Sequence, residues 1–334
     1  MHGLLCGVQL KVSVLSLRKP ACATVVVMET LSKNHIEAFK AVRDRLSADE
    51  RTRVDIASVE AVDPAKASAS HWNFDLPSHA ADVALGEDAT DAMRRALVAT
   101  WALELPGRIV AADLPGEVVQ FYPFWLDKLS SFLTTKQGPY DADHWAKDVR
   151  FTLALSVPGA RTQTIDLSSP MGPGQVVRNG RDGYGWSPLI AYVKAQGWKK
   201  PWLEVHTESR HIQDFSEAGW DQAWASAAAI CKRRPELAGM IGSSWFYDPP
   251  LETISPRMAY LRLNPLKGGA FIIHQGPAPI HSERAGATSP TRRAMIESGE
   301  YLPRSWLVAW PRATLIPWAE RRAVAMAEAE RAAA

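Results

Sequence analysis

Apolar positions recur along this chain in two rhythms, and the change between them divides it. In the first part the spacing is three and four. Ile36, Phe39, Val42 and Leu46 share one face of a helix predicted over 32–47, with Ser32 placed to cap it. Met93, Leu97, Trp101 and Leu105 mark a second helix over 88–105. Phe121, Trp125, Leu129 and Phe132 mark a third over 118–135. Residues 48–87 are polar and mixed, with Pro64 and Pro77, and read as loop.

The texture changes at Val149. Residues 149–157 alternate as a strand, Pro158-Gly159 turns the chain, and Thr162 to Leu167 alternates back, which predicts a β-hairpin. Residues 168–185 are rich in glycine and proline and read as loop, and Ser187 opens a helix that Gly197 stops. A regular alternation follows: strand Trp202–His206, helix Glu217–Arg233, strand Met240–Tyr247, helix Leu251–Leu263, strand Ala270–His274 and helix Pro290–Ser298. The last strand is Ser305–Trp310, with Thr314 to Trp318 as its continuation. The expected fold class is therefore α/β (α+β), a mixed central sheet flanked by helices over 149–320. A helical region over 28–148 precedes it and a frayed helix over 321–334 follows. Residues 1–27 read as a disordered extension ahead of a cleaner start at Met28. They do not read as a signal peptide, because Lys11 interrupts the apolar run and Arg18-Lys19 follow it.

Composition narrows the function classes. Charged residues are 22% and the formal net charge is +2, so nothing global calls for nucleic acid or an anionic membrane. No run of about 20 apolar residues exists to span a bilayer. Three cysteines, Cys6, Cys22 and Cys231, form no metal or redox spacing and suit a reducing cytoplasm. Thirteen tryptophans read as core anchors or as the lining of an apolar channel. The chain lacks Gly-x-Ser-x-Gly, a P-loop and a Gly-x-Gly-x-x-Gly after a strand, which removes support for a serine hydrolase, a nucleotide hydrolase and a dinucleotide enzyme.

Candidate chemistry concentrates in the second half. Arginines follow prolines at Pro256-Arg257, Pro290-Thr291-Arg292, Pro303-Arg304 and Pro311-Arg312. Proline fixes local direction and arginine offers a planar fork to carboxylate or phosphate. Arg257, Arg304 and Arg312 are the candidate anion holders, with Arg304 and Arg312 flanking one strand to share a ligand. Arg292-Arg293 read as solvated or paired with Glu297 and Glu300. His206 and Glu208 are two apart at a strand end and should face the same way, either one serving as a base. Ser244, Trp245 and Asp248 lie where a buried strand ends, the usual place of a ligand crevice. There Ser244 is a hydrogen-bonding candidate and Asp248 a holder for an amine.

The order hairpin, strand, helix, strand, helix, strand resembles the GCN5-related N-acyltransferase (GNAT) fold over about half the chain. Pro256-Arg257-Met258-Ala259-Tyr260, followed by Gly269-Ala270-Phe271, is similar to that family's tyrosine-bearing helix and Gly-Phe strand. The resemblance implies an acyl-CoA or acyl-carrier-protein donor, a small-molecule or lipid-like amine acceptor, and Tyr260 as the acid that protonates the leaving thiolate. It also implies that strand Trp202–His206 splays to hold the thioester. The family's pyrophosphate loop, Arg/Gln-x-x-Gly-x-Gly/Ala, is absent from residues 207–219.

Two other readings remain open. His206, Glu208, His274 and Arg284 follow the order of an Fe(II)/2-oxoglutarate oxygenase, two histidines and a carboxylate for iron and an arginine for the co-substrate. A non-catalytic anion- or lipid-binding protein would use the tryptophan-rich interior.

Overall fold

Reciprocal caps start the first two helices. The Ser32 hydroxyl accepts the His35 amide while the His35 ring accepts the Ser32 amide, and Ser47 and Glu50 repeat the device one helix later. The computed structural model describes residues 31–69, 73–136 and 138–333, so the expected extension over 1–27 lies outside the described residues.

The helical region holds α1 (Lys33–Asp44), α2 (Ala48–Glu60), α3 (Val62–Ser68), α4 (Leu76–Leu85), α5 (Asp91–Ala111), α6 (Gly116–Val119), α7 (Tyr122–Thr135) and α8 (Ala142–Thr152). Three of these, α2, α3 and α4, occupy the stretch expected as loop. The Ser47–Glu50 box starts α2, and Val54, Ala57, Ala65, Ala81 and Leu85 form a sparse stripe that is wholly buried. Small residues at helical spacing do here what large ones do in α5. The third expected helix is split into α6 and α7, with Pro123 in the first turn of α7, where proline is tolerated.

The strand expected from Val149 begins later. Asp141 accepts the amides of Asp143 and His144 and starts α8, whose last turn takes up Val149, Phe151 and Thr152. Ala154 then adopts a left-handed φ of 55°, and the chain reverses into the sheet.

The sheet comprises β1 (Ser156–Pro158), β2 (Gln163–Ser169), β3 (Trp202–Thr207), β4 (Gly239–Ser244), β5 (Phe271–Pro277) and β6 (Arg304–Pro311), in the order β1-β2-β3-β4-β6-β5. Every neighbouring pair is antiparallel except β3 and β4, which are parallel. The sheet is open and mixed with helices on its faces, as the alternation of patterns predicted.

Helices α9 (Pro173–Arg181) and α10 (Ser187–Lys194) cover one face, packing over Met171, Val176, Tyr192, Trp202 and Ile241. Helix α9 lies where loop was expected, opened by Pro173 at its first turn. The opposite face meets α11 (Glu217–Arg233), where Trp224 packs edge-on to Trp310 and Trp318. Trp101, Trp202, Trp220, Trp224 and Trp310 are fully buried and act as core anchors, whereas Trp186 and Trp198 are exposed.

The expected helix 251–263 is broken into α12 (Leu251–Ile254), a 3-10 turn over Pro256–Met258, and α13 (Tyr260–Lys267). Pro256 disfavours helical backbone in Ser255, which sits at φ −142° and ψ 67°. Next come α14 (Pro279–Ala287), which carried no pattern in the sequence, and α15 (Pro290–Glu297). Residues 314–318 do not extend the last strand, because α16 (Arg312–Ala333) begins directly after β6. Among the described residues, no helix is long and apolar enough to cross a membrane.

Candidate functional site

The parallel junction between β3 and β4 is short. Only Leu203 with Met240 and Glu204 with Ile241 are in register. Beyond them β3 stays paired to β2 through Val205, His206 and Thr207, while β4 stays paired to β6 through Gly242, Ser243 and Ser244. The facing edges of the two strands therefore fork apart at their carboxyl ends.

Gly242 lies at the throat. A Cβ there would come 3.2 Å from the Tyr247 hydroxyl and 3.5 Å from the Val205 carbonyl, so a larger residue would press this tyrosine back from the junction. The Tyr247 hydroxyl makes no hydrogen bond among the described residues, and burial holds its proton on, with Tyr260 adding to the effect. Tyr260, at the first position of α13, is half-buried. Burial, then the charges of Glu217 and Asp221 on α11, push its phenol above the ordinary range. Ser244 and Trp245 sit at the lip, half-buried, with the Ser244 hydroxyl accepting the Phe246 amide at 3.4 Å.

The Pro-linked arginines are placed unevenly. Arg304 and Asp248 occupy each other: Asp248 accepts the Arg304 amide at 3.2 Å, the Arg304 guanidinium at 3.3 Å and the Trp306 indole at 2.9 Å. Asp248 is thus a buried anchor for the start of β6. Arg312 lies at the far end of that strand, its Nε donating to the Cys231 carbonyl at 2.8 Å. Eight residues of extended chain separate it from Arg304, roughly 26 Å, so the two cannot share one anion. Arg292 is not solvated: it is 2% exposed, donates to the Ala285 carbonyl, Ser255 and Thr288, and lies 5.1 Å over the Trp245 ring. Arg257 is exposed with no ion pair among the described residues.

His206 and Glu208 meet different partners, and each is tied to α8 through an arginine–aspartate pair. Arg150 of α8 donates to Asp166 of β2 at 2.7 Å, and His206 Nε2 lies 3.3 Å from the same carboxylate. Ser156 closes the other carboxylate oxygen, and the Phe74 ring packs against both the His206 ring and the Arg150 guanidinium. Burial lowers the His206 pKa, but Asp166 and then Glu204 outweigh it, so it stands above the ordinary 6.5.

The second cluster begins directly after β3, at Glu208. Arg210 grips Asp148 of α8 with both terminal nitrogens, at 3.0 and 2.7 Å, and Glu208 at 3.0 Å. Tyr140 donates to Asp148 at 2.6 Å. Burial opposes charge on Glu208, yet the Arg210 charge and hydrogen bonds prevail and hold its pKa at about 2. A carboxylate held so low is a poor proton acceptor.

This second cluster opens on a cleft of about 610 Å³. Helix α7 supplies Trp125, Lys128, Leu129 and Phe132, and Lys136 follows at its C-cap, while Phe151 closes the side and Arg210 and His211 form the opposite wall. The His211 Nδ1 meets the Arg161 carbonyl at 3.0 Å, and Trp125 and Phe124 pack edge-on to its ring. A carbonyl only accepts, so Nδ1 carries the hydrogen and Nε2 of the neutral ring carries the lone pair. Burial lowers the His211 pKa and the nearby Glu208 only partly offsets it. No local pattern marks His211, because its value comes from a carbonyl 50 positions away. Asp148, Asp166 and Tyr247 were unmarked for the same reason.

The iron constellation is not assembled. Strands β3 and β5 are separated by β4 and β6, about 14 Å at ordinary strand spacing. His206 faces Asp166, Glu208 faces Arg210, and the His274 ring lies tilted 4.1 Å from that of Tyr184, while Arg284 is exposed on α14. One other group among the described residues, Asp141, Asp143 and His144, brings potential ligand atoms within 4.8 Å. Asp141 is already engaged there as the cap of α8.

No family model matches the sequence, and no curated protein matches it. Among solved structures it is similar to an acyltransferase in complex with decanoyl-CoA, at 13% identity and a TM-score of 0.46, covering 87% of this chain and 84% of that one. It is also similar to an acyltransferase in complex with CoA and 10C-teicoplanin, at 13% identity and a TM-score of 0.42, covering 66% of each chain. At these TM-scores the likeness by itself assigns neither fold nor activity to the chain.

Proposed function

We propose that this chain is an acyltransferase that moves an acyl group from a CoA or carrier-protein thioester to an amine. The fork between β3 and β4 carries the reading. Two strand edges with unpaired amides and carbonyls face each other there, at the carboxyl ends of the only parallel pair among the described strands. Such edges are templates for an extended ligand, and the pantetheine arm of a thioester is an extended chain of amides.

In the reaction the amine nitrogen attacks the thioester carbonyl carbon. The C–N bond forms, the C–S bond breaks, and the thiolate takes a proton. Tyr260 keeps its proton at neutral pH and serves as that acid. Glu208 fixes Arg210, and His206 fixes the end of β3 through Asp166, so both are positioning residues in this reading. Ser244 and Trp245 line the lip of the fork, and exposed Arg257 is the arginine left to meet donor phosphate.

Thermal unfolding with CoA, acetyl-CoA and decanoyl-CoA tests the reading. A ligand at a hundred times its dissociation constant adds about 2.7 kcal/mol, a visible shift of the midpoint. Tyr260→Phe should then lower turnover by about a hundredfold or more while leaving the acyl-CoA shift in place. No shift with any thioester would remove the reading.

A further inference from the structure

Helix α7 turns a mixed face to the 610 Å³ cleft. Trp125, Leu129 and Phe132, with Phe151, make an apolar floor, and Lys128 and Lys136 stand exposed at the rim. Neither lysine has a carboxylate partner among the described residues. Arg210, by contrast, is answered by Asp148 and Glu208. With the exposed Asp141 carboxylate also at the rim, the balance is an aromatic slot with a net positive edge, which fits a molecule with an apolar body and an anionic group.

His211 adds directed chemistry. Its ring is held by the Arg161 carbonyl and two aromatic edges, and its Nε2 makes no hydrogen bond among the described residues while the residue lines the cleft. A histidine in that tautomer accepts a hydrogen from the ligand. The charged groups around it are Glu208 and Arg210 of its own segment, Lys128 of α7, and His144 and Asp148 of α8. The same segment connects cleft and fork, because Phe215 at its other end packs on Phe246 just after β4.

We propose that the cleft seats the acyl acceptor, an amine with an aromatic or alkyl body and an anionic group, and that His211 Nε2 takes the proton the amine loses. This rests on the acyl-transfer reading. The amine proton passes to His211 as the C–N bond forms, the thiolate takes its proton from Tyr260 as the C–S bond breaks, and both residues re-equilibrate with solvent.

The probe for the seat is 8-anilino-1-naphthalenesulfonate, an aromatic anion that fluoresces when bound. Lys128→Glu with Lys136→Glu, and separately Leu129→Trp to fill the floor, should each weaken its binding by about tenfold or more. Both variants should keep the acyl-CoA thermal shift, which shows that they fold. Affinity unchanged in both variants overturns the seat. The probe for the base is 4-(aminomethyl)benzoate, followed by thiol release from acyl-CoA. His211→Gln should lower its kcat by about a hundredfold or more and remove the rise of rate with pH. Unchanged kcat, or no thiol release by the native chain despite an acyl-CoA shift, overturns the assignment to an acceptor. Loss of the shift itself would strike the acyl-transfer reading and leave the dye result standing.

Discussion

His206 and His211 are five residues apart and have been put to opposite uses. His206 is enclosed by Asp166, Arg150 and Phe74, and its pKa is raised. His211 meets a carbonyl and two aromatic edges, is held neutral, and opens on the cleft. Burial acts against charge on both. The outcome differs because a carboxylate lies beside one ring and a carbonyl beside the other. The same contrast separates the two arginine clusters on α8. Arg150–Asp166 is 2% exposed at each partner, whereas the Arg210 side chain, at 17%, forms a wall of the cleft. Access, more than the kind of contact, divides scaffold from candidate site.

The sharpest way to break this comparison is to remove each arginine. Arg150→Ala leaves buried Asp166 with only His206 and Ser156 as partners and should cost about 3 kcal/mol in urea unfolding, the low end for breaking a buried pair. Arg210→Ala leaves both Asp148 and Glu208 without their cation, but the adjoining cleft admits water, so its cost should be smaller than that of Arg150→Ala. Equal costs, or a larger loss for Arg210, would mean that the cleft is as dry as the sheet.

Next in size are two pH dependences of opposite sign. The folded-state pKa of His206 is raised, so its stabilising contribution is complete below the ordinary 6.5 and fades as pH rises through the folded value. That of His211 is lowered. As pH falls through 6.5 the unfolded chain takes up a proton that the folded chain refuses, and stability drops until the folded value is passed. Unfolding free energies of the native chain, His206→Gln and His211→Gln across this range should show the native advantage over the first shrinking toward alkaline pH. The advantage over the second should shrink toward acid. Parallel curves would refute the assigned charge states.

The periodic part of this architecture was legible in the sequence. Helix 217–233, the hairpin turn at Pro158-Gly159 and the strands around Trp202 and Trp306 follow from spacing alone. Losses came where a local signal competed with a distant one. The β-branched run from Val149 reads as strand, but the Asp141 cap starts a helix that absorbs its first four residues. Helices α2 to α4 are built on alanine stripes that composition hides. The same limit governs the site. Strand order and a short motif nominate Tyr260 and a splayed strand, whereas His211 becomes a candidate only when Arg161, Trp125 and α7 surround it. Prolines fixed local directions without fixing destinations: Arg304 met Asp248, Arg312 met the Cys231 carbonyl, and Arg292 was buried over Trp245.

Arg257 is the smallest perturbation and separates binding from folding most cleanly. It is exposed and has no ion pair among the described residues, so Arg257→Ala should change stability by no more than about 0.5 kcal/mol. Arg304→Ala should cost more, because it removes a charge that buried Asp248 relies on. If Arg257 meets donor phosphate, its loss should reduce the acyl-CoA shift in a salt-dependent way, since an exposed charge is screened. Arg304→Ala should lower the midpoint while leaving the ligand-induced increment nearly intact. The reverse pattern would move the anion contact from the loop before α13 to the start of β6, and with it the side from which the donor enters the fork.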